Sequence, residues 1–149
     1  MKKFLAVFDP LHFMESTMAC AVYLARHTGA HLVGIFLEDA QRRSYSATEL
    51  AAQGSAPPDR SVHDLNHRDD ETRNAAVAAF EAACGASDVA FSVHRHHDKP
   101  LQELLHESIY ADLLLVSPTE TLQRHHEEPP THFIRYLLEE VQCPVLLVP

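Results

Sequence analysis

Short apolar runs, each too brief to be a buried helix, recur along this chain, and segments of helical period separate them. Phe4 to Phe8 is such a run, closed by Asp9-Pro10, and His31 to Leu37 is another, closed by Glu38-Asp39. A continuous apolar run of this length reads as a strand covered on both faces. Between them, from about Phe13 to His27, Met14, Met18, Ala21, Val22 and Ala25 repeat at three and four, and Gly29 follows where a left-handed helix cap belongs. Strand, helix and strand of this kind can pair only in parallel, because the connection is a crossover.

The rest of the chain repeats the unit. Ala76, Phe80, Ala83 and Cys84 form a helical stripe that Asp69 or Asp70 can cap and that Gly85 ends. Val89, Phe91 and Val93 alternate with smaller or polar residues, the period of a strand with one less buried face, which suggests a sheet edge. Pro100 suits a first helical turn, and Leu101, Leu104, Leu105 and Ile109 share a face directed at the core. Leu113 to Val116 is a buried strand ended by Ser117-Pro118. Thr131 can cap a last helix marked by Ile134, Leu137, Leu138 and Val141, and Val145 to Val148 is a final strand. The expected fold is α/β, a three-layer α/β/α sandwich on a five-stranded parallel sheet. Such sheets bind ligands beyond the carboxyl ends of their strands.

With 149 residues there is room for one domain, 1–149, and not for two. The one irregular stretch, about 40–69, holds Gly54, Pro57 and Pro58 and exceeds an ordinary connection, so it is expected as a long loop, a lid or a flexible excursion. The formal charge of −9 repels a phosphate backbone, which argues against nucleic-acid binding. No run approaches the roughly 20 apolar residues of a membrane span, no leader pattern opens the chain, and a cytoplasmic location is expected. Cys20, Cys84 and Cys143 lie far apart in apolar segments and read as free thiols.

The order FLAVFDP, a long break after the second strand, DLLLVSP, and an amphipathic helix followed by CPVLLVP resembles the universal stress protein family over nearly the whole chain. The resemblance implies an adenine nucleotide alpha hydrolase-like sheet of order 3-2-1-4-5. It also implies a homodimer paired through the last strand, here Val145, Leu146, Leu147 and Val148. The family has a branch that binds ATP through a GxxG segment after the fourth strand and a later Gly followed by Ser or Thr. Glycines there let the backbone approach phosphate, and helix-start amides donate to it.

This chain departs from that pattern, reading SPTETLQRHHEEPPTH from Ser117 to His132 without a glycine. Pro129 and Pro130 remove amide donors, and Glu120, Glu127 and Glu128 oppose a triphosphate. The expectation is therefore a stress-response protein without a cofactor and without catalysis, acting through dimerisation and contacts with unidentified proteins.

The alternative is a nucleotide binder that holds ATP or AMP with magnesium in the family crevice. Asp9, Leu37, Ser117, Arg124, His125 and Thr131 would line that crevice, and weak ATP hydrolysis is the one reaction the resemblance leaves open. The plainer account of Asp9 is a turn cap, and of Leu37 ordinary core.

Twelve histidines are the oddest feature of the composition. His94 and His96 project from one strand face, a spacing that can offer two imidazoles to one zinc or nickel ion. No third ligand stands at a fixed local spacing, so the expected metal complement is none, with these two as weak candidates. Protonation of all twelve histidines would also carry the formal charge from −9 to +3, reversing the protein's field.

Overall fold

The structure, a computed structural model, describes residues 1–39, 58–122 and 126–149, with 58–62 described by backbone alone. Strands β1 (Lys3–Phe8), β2 (His31–Leu37), β3 (Phe91–His96), β4 (Leu113–Val116) and β5 (Val145–Leu147) form one sheet of order β3-β2-β1-β4-β5. Every neighbouring pair is parallel. The expected α/β/α sandwich and strand order are the ones observed.

Helices α1 (Glu15–Thr28) and α2 (Pro58–Ala86) cover one face, and α3 (Pro100–Ser108) and α4 (His132–Glu140) the other. The central strands read as continuous apolar runs because alternate residues feed two cores. Phe4, Ala6 and Phe8 of β1 pack with Leu32 and Phe36 of β2 and Phe80 of α2. Leu5 and Val7 pack with Val33, Ile35 and Leu37, Leu104 of α3, and Ile134 and Leu137 of α4. α1 ends at Gly29 with φ 68°, the left-handed conformation a glycine adopts without a Cβ penalty.

Two glycines play different parts here. Gly34, in the middle of β2, leaves room for the Phe80 ring to lie directly on the strand; a Cβ at this position would stand 2.6 Å from Phe80 Cε1. A lone glycine inside an apolar strand is the sequence sign of such close approach.

Several boundaries differ from expectation. α2 begins at Pro58 and not near Asp69, so 58–69 of the expected loop is helix, while 40–57 lies outside the described residues. The polar half of α2 carries no apolar stripe for a periodicity argument to find. Local pairs support it, including His67 Nε2 to Glu71 Oε1 at 3.2 Å and Arg73 Nη1 to Asp70 Oδ1 at 3.2 Å. Gly85 does not stop this helix, which runs on to Ala86; the turn that follows places Asp88 at φ 55°.

Ile109 and Leu138 are 52% and 47% exposed and do not belong to the core stripes expected of them. Ile109 lies just past the last turn of α3, where the chain has left the helix face that meets the sheet. Val148 lies one residue beyond β5, although its N–H still donates to Val116 O at 2.9 Å. No helix among the described residues is long and apolar enough to cross a membrane.

Candidate functional site

Because the strands are parallel, Asp9, Leu37 and Ser117 all come to the carboxyl edge of the sheet, at or just past the ends of β1, β2 and β4. Asp9 is 2% exposed, and its Oδ1 accepts the Leu11 N–H at 3.0 Å while Oδ2 lies 3.6 Å from His12 Nδ1. It thus shapes the turn that leads into α1. Leu37 is buried in the core between β2 and the α3–α4 layer. Ser117 is also buried; its hydroxyl meets Thr119 Oγ1 at 2.8 Å and accepts the Thr119 N–H at 3.3 Å.

The start of α4 faces the same edge. Thr131 is its N-cap: Oγ1 accepts the Ile134 N–H at 3.2 Å and donates to Glu120 O at 2.5 Å. The Glu127 carboxylate occupies two further donors. Its Oε2 accepts the His132 N–H at 2.9 Å and its Oε1 accepts the Thr121 hydroxyl at 3.0 Å. The His132 amide is the main influence holding the Glu127 carboxyl below its usual range; burial opposes it, and Thr121 and the charges of His132 and Arg135 add to the lowering. The end of α4 where an anion would dock is therefore filled by an anion of this chain. Arg124 and His125 lie outside the described residues.

A second cluster stands on the outer strand. β3 turns Phe91 and Val93 to the α1–α2 core, which leaves Ser92, His94 and His96 on the α3 face. There Glu107 Oε1 meets His94 Nδ1 at 2.6 Å and His96 Nε2 at 3.0 Å, and the other nitrogen of His96 pairs with Glu103. Glu107 Oε2 lies 3.7 Å from Lys3 Nζ. Burial raises the Glu107 pKa, but hydrogen bonds from His96 and His94 and the charges of those rings outweigh it and lower the carboxyl to about 2.

Sequence reasoning reached the two histidines and missed both glutamates. The carboxylates are four residues apart on one helix, and nothing in the sequence says which strand that helix crosses. Across β3 the pairing differs: Arg95 Nε donates to the buried Glu38 Oε1 at 2.6 Å, and His97 Nδ1 lies 3.2 Å from Glu38 Oε2.

No protein-family profile matches the sequence, and no curated protein matches it. Solved structures do. The universal stress protein UspA from Lactobacillus plantarum superposes with a TM-score of 0.65 at 15% identity, covering 99% of this chain and 97% of that one. The chain has the universal stress protein fold. A universal stress protein from Burkholderia pseudomallei matches with a TM-score of 0.59 at 19% identity over 99% of this chain and 96% of its own. One from Arabidopsis thaliana, solved with AMP bound, matches with a TM-score of 0.60 at 11% identity, covering 99% and 91%. In this fold Asp9 and Ser117 stand at the carboxyl ends of β1 and β4, and the glycine-free segment of the sequence follows β4.

Proposed function

We propose that this chain is a cytoplasmic stress-response protein of the universal stress type that does not bind ATP and acts as a homodimer through contacts with other proteins. The observation that carries the first part is the Glu127 carboxylate at the start of α4, hydrogen-bonded to the His132 amide. A triphosphate arriving there would meet a negative charge and would find the His132 and Ile134 amides already used. Ser117 and Thr131, two further polar groups there, are tied to Thr119 and Glu120.

Dimerisation is supported by β5. It is a margin of the sheet, and Leu146 and Leu147 are 38% and 39% exposed along it. Pairing with a second copy would satisfy its open amides and carbonyls and cover these leucines. The three cysteines, all free thiols, suit a reducing compartment.

Calorimetry on tag-free protein tests the nucleotide reading, with ATP and magnesium in one titration and AMP in another, since a relative of the same fold was solved with AMP. Neither is expected to give saturable heat; one-site binding at micromolar ligand overturns the reading. Sedimentation is expected to give a dimer at micromolar protein and a monomer for Leu147→Lys. A monomeric native chain refutes the dimer.

A further inference from the structure

We propose that His94, His96 and Glu107 form a binding site for a zinc-type divalent metal ion between β3 and α3. One donor atom from each of the three lies within 4.8 Å of the other two. Tetrahedral zinc with bonds of about 2.0–2.1 Å needs its donors roughly 3.3 Å apart. The His94 and His96 contacts to Glu107 Oε1, at 2.6 and 3.0 Å, already sit close to that separation. The two imidazole nitrogens, within 4.8 Å of each other, would have to draw closer to complete the shell. Two imidazoles and a carboxylate are the donors zinc takes, leaving a fourth position for water.

Two further features separate this cluster from histidines that merely share a surface. His96 presents Nε2 to the shared centre while its Nδ1 is held by Glu103, the arrangement in which a carboxylate orients a metal-binding imidazole. Among the described residues Glu107 Oε2 is buried without a hydrogen bond, with the Lys3 ammonium 3.7 Å away. An entry path exists as well: a cleft of about 550 Å³ lined by His96, Gln102, Glu103, His106 and Glu107 opens on the cluster. None of these residues belongs to the crevice at Asp9 and Thr131, so the site stands or falls apart from the nucleotide reading.

The test titrates Zn²⁺ by calorimetry into chelator-treated, tag-free full-length protein and follows Co²⁺ by its visible absorption. The expected result is one saturable site per chain with tetrahedral cobalt bands. His94→Ala and His96→Ala should each weaken binding by about tenfold or more, and Glu103→Gln on the order of 10–100-fold at unchanged stoichiometry, as a residue that positions His96. His27→Ala and His67→Ala should leave it unchanged. Binding that His94→Ala and His96→Ala weaken no more than His67→Ala does is adventitious and overturns the site. Should the histidine variants unfold by circular dichroism, the nearly isosteric Glu107→Gln decides: zinc is expected to raise the native melting temperature and not that of Glu107→Gln. An equal rise in both refutes the proposal.

Discussion

Gly34→Ala adds a single methyl group to the centre of β2, and the structure specifies what that methyl meets. It would stand 2.6, 2.8 and 3.0 Å from three carbons of the Phe80 ring, where carbon atoms prefer about 3.5–4.0 Å. The ring has no room to turn away. It is fully buried, with Phe8, Phe36 and Phe91 centroids at 5.7, 5.9 and 6.0 Å. α2 must therefore lift by about 1 Å or the strand must bow, and overpacking of this kind costs about 1–3 kcal/mol. Replacing glycine in a strand interior returns about 0.5–1 kcal/mol through the unfolded chain. The net loss is about 0–2.5 kcal/mol, or a melting temperature lower by up to about 10 °C for a chain this size.

The chain has no tryptophan, so urea unfolding is best followed by far-ultraviolet circular dichroism. The informative measurement is the same substitution in a Phe80→Leu background, where the smaller side chain leaves space for the methyl. There Gly34→Ala should be neutral or stabilising, giving a coupling of about 0.5–3 kcal/mol between the two positions. Equal cost in both backgrounds would refute the close approach of ring and strand.

Thr131→Ala removes both the cap of α4 and the donor to Glu120 O, and should cost about 1–2 kcal/mol by urea unfolding, with Thr131→Ser recovering most of it. Glu127 has a folded pKa lowered from 4.5, so it contributes stability that is present in full above about pH 4.5 and is lost as pH falls through its depressed folded value. Glu127→Gln should accordingly melt below the native chain at pH 7, and the gap should close in acid; a gap that persists unchanged at pH 2 contradicts the assignment. Burial raises the Cys84 thiol to about 11, and burial with the nearby Asp112 charge raises that of Cys143. In native protein at pH 8 a thiol reagent should label Cys20 quickly and the other two only on unfolding, as mass mapping of the labelled peptides would show.

The sheet was legible because its cause is local: parallel strands covered on both faces must be apolar at every position, as Phe4 to Phe8 and Leu113 to Val116 are. Thr131 as a cap and Gly29 as a helix end followed from chemistry within a few residues. The polar half of α2 was not legible, since i,i+4 pairs on a solvated helix leave no hydrophobic period. The same limit applied to the chemistry of the surface.

From the sequence alone come the strand order's ingredients, the missing glycines after β4 and the pair of imidazoles on one face of β3. Tertiary structure alone decided that Phe80 lies on Gly34, and that Glu107 and Glu103 meet His94 and His96. Those meetings depend on how a helix is laid across a strand. That placement is set by the sum of packing on both cores, which no short window of sequence contains.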